Sequence, residues 1–199
     1  MRQETTISYL VWDLLITVGA TLVSIRIPLQ LVLDWDEPPL LIYFAWAITF
    51  LFGADVLLNF RRPVVIHGQI VRDTRVLAEH YVRRWFVFDL LAALPIGLLF
   101  GSTPLVLLRL SKLARVIHLM RQWRQRMIRN TVGLRLAFFA FWLGLIAHWL
   151  ACGWLALGGS SADTDEFTQY LRALYWCVTT LTTIGYGDIT PSTNAQIVY

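Results

Sequence analysis

Thr182-Thr183-Ile184-Gly185-Tyr186-Gly187-Asp188 has a backbone suited to presenting several carbonyl oxygens to one dehydrated cation. Glycine at 185 and 187 opens conformations with φ > 0 that other residues resist, so successive C=O groups can turn toward one axis. Thr183 can add its hydroxyl oxygen to the series. Four such loops around an axis would replace the hydration shell of a monovalent cation. A Gly-Tyr-Gly triplet alone usually marks a plain turn, and its surroundings decide what it means here.

The surroundings are those of a membrane protein. The 199 residues are 57% hydrophobic, above the roughly 45 to 50% of soluble domains, and mean hydropathy is +0.58. The apolar residues are grouped: 9–33, 38–60, 85–100 and 132–157 are predominantly apolar, most near the roughly 20 residues a helix needs to cross a bilayer core. The third is short, and flanking Arg83 and Arg84 can snorkel to extend it. The first is too long for a secretory h-region and lacks a small-residue cleavage site, so it reads as an uncleaved helix. No segment reads as a soluble domain.

Basic residues fix an orientation. Arg61, Arg62, Arg72, Arg75, Arg83 and Arg84 lie between the second and third spans, whereas Asp34, Asp36 and Glu37 follow the first. By the positive-inside rule the Arg-rich loop is cytosolic. Asp163, Asp165 and Glu166 then fall outside, and the expected protein is a multi-pass cell-membrane protein with a cytosolic N-terminus. The net charge of +4 needs no nucleic-acid partner, because anionic lipids near Arg121, Arg124, Arg126 and Arg129 suffice. Cys152 and Cys177 sit in apolar segments and read as buried free thiols.

From Pro104 to Arg124 every third position carries Arg109, Lys112, Arg115, His118, Arg121 or Arg124, usually with two apolar residues between. In an α-helix a three-residue step turns 300°, so these charges wind slowly around the axis, whereas a 3₁₀ stretch would align them in one stripe. Either geometry lets each charge take its neighbour's place by sliding. A basic helix lying on lipid would concentrate its charges on one face and need no strict period. A periodic cationic helix among spanning helices meets the requirement of a voltage sensor, since each charge moved through 100 mV is worth roughly 2.3 kcal/mol.

Cations inside a membrane need partners, and the other spans supply carboxylates. Asp13, Asp55 and Asp89 each lie four or five residues from the cytosolic end of their span, which at 1.5 Å per residue sets all three roughly 6 to 8 Å inside one face. Phe52, one turn from Asp55 on the same helix face, can plug the gap between outer and inner water; ordinary packing is the alternative for Phe52, and interfacial water for Asp13. Intramembrane Asp55 and Asp89 read as functional.

A helical run over 168–181 precedes the glycine loop, and the acids before it suit the positive end of its dipole. Its negative end then points toward the loop and favours a cation there. Thr179, Thr180, Thr182 and the ring donors of Tyr175 and Trp176 form either a cuff around the loop or ordinary packing. His148 reads as a satisfied packing residue.

These residues together carry a resemblance. Phe52-Gly-Ala-Asp55 with Asn59-Phe60-Arg61, Trp85-Phe-Val-Phe-Asp89 with Leu94-Pro95, Leu145-Ile-Ala-His148-Trp149-Leu-Ala-Cys152, and Tyr175-Trp176 through Asp188 resemble the second, third and fifth helices and the pore of the six-helix potassium channel superfamily. Within it they resemble the branch of ether-à-go-go, plant inward-rectifying and cyclic-nucleotide-regulated channels. The resemblance covers about Trp12 to Tyr199. It implies an all-α membrane protein: a four-helix voltage-sensor bundle over 1–126, with helices at 9–33, 38–60, 85–100 and 104–126, and a pore module over 127–199. That module would hold a fifth helix at 132–157, a re-entrant pore helix at 168–181, a filter at 182–188 and the start of an inner helix at 193–199.

The resemblance also implies roles. Thr183, Ile184, Gly185 and Tyr186 would coordinate K⁺, supported by Thr182, Gly187, Asp188, Tyr175 and Trp176; Arg109, Lys112, Arg115, Arg121 and Arg124 would be gating charges, with His118 a weak step that is neutral for much of the time near pH 7. Phe52, Asp55 and Asp89, with Asp13 at their level, would form a charge-transfer centre. The expected function is passive, selective K⁺ conduction by a tetramer, three further identical subunits completing the cage. K⁺ is the permeant ion and the only metal, no cofactor is expected in this chain, and cyclic nucleotide would act only through a domain beyond residue 199. The rival is a weakly selective cation channel gated by cyclic nucleotide or hyperpolarisation, although the retained Gly-Tyr-Gly-Asp speaks against nonselective conduction. A membrane adaptor, from another class, would have no use for a carbonyl filter and a three-residue charge period in one chain. No nucleophile, metal-ligand cluster or phosphate loop argues for an enzyme. The chain is expected to be a fragment ending in the first turns of its sixth helix.

Overall fold

Helix α1, Arg2–Val32, is long enough at about 1.5 Å per residue to exceed a bilayer core. Three of its hydroxyls are satisfied within the helix: Thr17 donates to the carbonyl of Asp13, Thr21 to Thr17 and Ser24 to Ala20, which lets an apolar helix carry them. The computed structural model describes residues 2–33, 38–66, 69–71, 73–95, 107, 110–113, 117, 131–159 and 165–199.

Helix α2, Pro39–Asn59, starts on a proline, whose fixed φ suits a first helical turn and whose missing N–H is no loss there. It buries Ala45, Ile48, Thr49, Phe52, Asp55, Val56 and Asn59, a stripe at three- and four-residue spacing. The rest of its surface is apolar too: Leu40, Tyr43, Phe50 and Leu57 are 71–75% exposed. Such a helix needs lipid around it.

A hairpin follows, β1 Val64–Ile66 and β2 Gln69–Val71, antiparallel with Val64 opposite Val71. The fold is otherwise helical among the described residues, as the all-α expectation has it, and this small hairpin forms because Val64-Val65-Ile66 and Ile70-Val71 are β-branched runs close in sequence, after a Pro63 that stops helix continuation. Helix α3, Thr74–Arg84, is capped by Asp73, whose side chain accepts from the Arg75 amide. Trp85, at φ −124° and ψ −21°, breaks the chain before α4, Phe86–Ala93. The helix expected over 85–100 is observed only as far as Ala93. Leu94 turns extended because the ring of Pro95 disfavours helical geometry in the residue before it, and 96–100 lie outside the described residues.

Of the cationic segment, Leu107, Leu110 and Ser111 have 3₁₀ geometry, whereas Lys112, Leu113 and Ile117 are α-helical. Helix α5 spans Thr131–Ala156, α6 Glu166–Leu181 and α7 Asn194–Val198. Stretches of three helices, Tyr9–Val32, Pro39–Asn59 and Arg135–Ala156, are long and apolar enough to cross a membrane among the described residues.

The described residues form two compact units, one from Met1–Ser24 with Asp36–Arg126, the other from Ile25–Trp35 with Met127–Tyr199. In the second, Leu33, Ala151, Trp154, Leu155, Ala173 and Cys177 form a buried cluster that Leu29 and Val32 pack against. Trp154 stacks on Trp176 at 3.7 Å, which fixes α6 to α5.

Candidate functional sites

Among the described residues of the first unit, Lys112 is enclosed by acids. Lys112 Nζ lies 2.8 Å from Asp55 Oδ2 and 2.7 Å from Asp89 Oδ1, and all three residues are at most 1% exposed. The ring of the fully buried Phe52 stands 5.2 Å from the ammonium, close enough for its negative face to attract the charge. The second oxygen of each carboxylate is held as well: Trp12 Nε1 donates to Asp55 Oδ1 at 2.9 Å, and the Tyr81 hydroxyl donates to Asp89 Oδ2 at 2.8 Å. Helices α1, α2, α3 and α4 thus each place one polar group on this cluster. The Ser111 hydroxyl, donating to the carbonyl of Phe88, ties the cationic segment to α4 beside it. Burial without such partners would cost each ion several kcal/mol.

Asp13 is not brought to Lys112. It takes a two-pronged contact from Arg62, both bonds 2.6 Å, and the guanidinium also covers the Tyr9 ring. The expected third member of the acidic level therefore holds a fixed arginine just beyond α2, where the planar fork of Arg matches a carboxylate.

In the second unit the glycine loop folds back on α6. The amides of Thr182 and Thr183 donate to the carbonyls of Val178 and Thr180, and those of Ile184 and Gly185 both donate to Thr179 at 2.9 and 3.1 Å. In a planar trans peptide the C=O points opposite to the N–H. The carbonyls of Thr182, Thr183 and Ile184, which share peptide units with three of those amides, therefore face away from α6. The backbone permits this because φ is positive at alternate residues: 61° at Thr183, 56° at Gly185 and 76° at Gly187. Thr183 bears this without being glycine, a local strain of about 1–3 kcal/mol of the kind that collects at functional sites.

The aromatic residues expected to brace this loop divide their work. Tyr175 stacks parallel to Tyr186, ring centres 6.3 Å apart, while Trp176 packs on Trp154. The Thr182 hydroxyl donates back to Val178 and that of Thr179 to Trp176. Asp188 is exposed. At the start of α6, Asp165 accepts from both the amide and the hydroxyl of Thr168. Gln196 donates to the carbonyl of Leu157 and accepts from Ser192, which anchors the chain beyond the loop to the end of α5. His148 bridges Ile25 and Tyr170: a carbonyl can only accept, so Nε2 carries the proton toward Ile25 at 2.9 Å and Nδ1 accepts from the Tyr170 hydroxyl at 2.8 Å.

The sequence matches the ion transport protein family over residues 9–199. The chain belongs to that family. Among its relatives in the ion transport family, the potassium voltage-gated channel unc-103 of Caenorhabditis elegans is 29% identical, the match covering 76% of this chain and 23% of the relative. The voltage-gated inwardly rectifying potassium channels KCNH2 of Sus scrofa and KCNH7 of Mus musculus are each 30% identical, over 76% of this chain and 16% of theirs. The chain thus spans no more than 23% of the length of these curated relatives. With its apolar helices, this member of the ion transport family is a multi-pass membrane protein.

Of the residues singled out in this ion transport chain, Phe52, Asp55, Asp89 and Lys112 meet at one point. Arg109, Arg115, His118, Arg121, Arg124, Arg126 and Arg129 lie outside the described residues. Trp12, Tyr81 and Arg62 escaped the sequence reading. An indole or phenol in an apolar helix reads as packing, and nothing local reveals that Trp12 meets an acid 43 residues away.

Proposed function

We propose that this chain is the membrane core of a tetrameric, K⁺-selective channel with a voltage sensor over 1–126 and a pore module over 127–199. The observation that carries the reading is the loop whose amides turn back onto the carbonyls of Thr179 and Thr180, leaving a row of carbonyls for the opposite side. Thr183, Ile184, Gly185 and Tyr186 offer oxygens to a dehydrated K⁺, and the C-terminus of α6 adds the negative end of its dipole. Thr182, Gly187, Asp188, Tyr175 and Trp176 support the loop. Arg109, Lys112, Arg115, Arg121 and Arg124, with His118 as a weak step, are the gating charges. They pass a centre formed by Phe52, Asp55 and Asp89, and the buried Lys112 is one cation caught there. The uneven distribution of arginine supports a cytosolic N-terminus, with anionic lipid at Arg121, Arg124, Arg126 and Arg129.

The relatives' printed names, which call them voltage-gated potassium channels, support both halves of the reading. Reversal potentials in K⁺ and Na⁺ test the pore: the complete channel prefers K⁺, and Gly185→Ala abolishes current or preference. An unchanged preference in that variant overturns the filter assignment. Gating-charge recordings test the sensor: Arg115→Gln lowers the charge moved, while Asp55→Asn leaves the total and displaces the midpoint. Voltage dependence unaltered by neutralising Arg115 and Arg121 together would leave the segment a structural or lipid-binding element.

A further inference from the structure

The cation cluster has a symmetry that the gating reading does not use. Each carboxylate gives one oxygen to Lys112 and the other to a neutral aromatic donor, Asp55 to the indole of Trp12 and Asp89 to the hydroxyl of Tyr81. The two donors come from different helices, α1 and α3, and each bonds the carboxylate oxygen that Lys112 does not.

A carboxylate that holds a single cation can rotate about its last torsion, and each rotation lost on binding weakens the grip on that cation. A fixed hydrogen bond to the second oxygen removes that freedom beforehand. The donors carry no charge, so they hold the acids without competing for the place of the cation, as a second arginine or lysine would. Tyr81 is itself set by edge-on contacts with Phe60 at 5.0 Å and Phe86 at 6.0 Å, so its hydroxyl cannot follow a wandering acid. Trp12 stands next to Asp13, whose pairing with Arg62 ties α1 to the chain just beyond α2, the helix that carries Asp55.

We propose that Trp12 and Tyr81 are positioning residues of the cation site: they orient Asp55 and Asp89 through neutral hydrogen bonds so that both acids present their remaining oxygens to whichever cation occupies the gap. The inference rests on the reading of Asp55 and Asp89 as the pair that receives sensor charges. Its consequence is that the occupied site is stabilised by groups that bear no charge and never move with the sensor.

The test is a set of gating-charge recordings on the complete channel. Trp12→Phe and Tyr81→Phe keep a ring and remove only the donor. Each leaves total charge unchanged and displaces the midpoint in the same direction as Asp55→Asn, by about two- to ten-fold in the ratio of sensor positions, the scale of freeing one fixed side chain. The effect of Trp12→Phe disappears in the Asp55→Asn background, and that of Tyr81→Phe disappears beside Asp89→Asn, because the bond has lost its charged acceptor. Trp12→His supplies the rescue: its Nε2–H occupies the ring position of the indole N–H, so a donor role makes it milder than Trp12→Phe, whereas a bulk-packing role makes the smaller ring worse. Midpoints unmoved by both Phe variants while Asp55→Asn shifts its own would overturn the positioning role and spare the acid pair. An Asp55→Asn channel with an unmoved midpoint would overturn both. Additive effects in the double variants, or Trp12→His worse than Trp12→Phe, would make Trp12 and Tyr81 packing residues.

Discussion

At the scale of single residues, the buried Lys112 is the charge on which the first unit depends. Its side chain is 1% exposed between two carboxylates, and removing one partner of a buried ion pair costs about 3–5 kcal/mol because the remaining charge stays desolvated. Lys112→Met is therefore expected to lower the thermal midpoint of the detergent-solubilised protein by several degrees, whereas Arg83→Met, which breaks a pair exposed on both sides, leaves it unmoved. Equal midpoints for the two variants would mean that the ammonium is not held as described. Gly185→Ala acts differently. A Cβ at 185 meets nothing within 4 Å, but φ there is +56°, so the strain of about 1–2 kcal/mol per chain falls on the backbone that aims the carbonyls. The residue scale also marks what the sequence could reveal. Glycine at alternate positions writes a backbone conformation directly into the sequence, and an acid in an apolar span declares a partner. Trp12 and Tyr81 declare nothing, because their donors matter only once distant helices meet, and the partner of Asp13 was hidden for the same reason.

At the scale of elements, α6 depends on how it begins. Its cap, Asp165, is exposed, and the hydroxyl and then the amide of Thr168 hold its carboxyl below the usual range. A folded-state value below the unfolded one gives stability that is present above the unfolded pKa, about 3.9, and is lost as pH falls through the folded value. Asp165→Ala is thus expected to speed hydrogen exchange at the first-turn amides of α6 at pH 7, and the difference from wild type should shrink as wild type is acidified below about pH 3. An exchange difference that persists in acid would remove the charged cap from the explanation. Farther along α6, Tyr170→Phe takes the donor from buried His148 Nδ1 and should cost about 1–3 kcal/mol, read as a lower thermal midpoint. The long apolar helices were legible because lipid imposes length and composition on them. The hairpin and α3 were not, since the segment between Arg61 and Arg84 reads by charge as a loop, and charge says nothing of β-branched pairs or of an Asp73 cap. The end of α4 at Ala93 escaped for a related reason: the apolar run from 85 to 100 looks continuous even though Leu94 turns extended.

At the scale of the whole molecule, the proposed filter needs more than one copy of the glycine loop. Ile184 is 54% and Tyr186 69% exposed, on a loop whose carbonyls of Thr182, Thr183 and Ile184 face away from α6. In a bilayer an unsatisfied carbonyl costs several kcal/mol, and neither lipid nor a single K⁺ contacted from one side supplies that. In the proposed tetramer neighbouring loops around a shared axis would, since each ion then receives oxygens from every copy and each exposed Tyr186 gains a neighbour. Under the proposed pore, copies meet head to tail around one axis, and such a contact has to close on itself to avoid growing without limit. Native mass measurement of the complete channel chain in mild detergent should therefore show a tetramer. Tyr186→Ala, which strips the exposed ring, should weaken it toward smaller species, while a substitution on the lipid-facing side of α2 such as Leu57→Ala leaves it intact. A complete chain that stays monomeric and still conducts K⁺ selectively would show that the cage is not built from four loops, whatever the backbone of each one looks like.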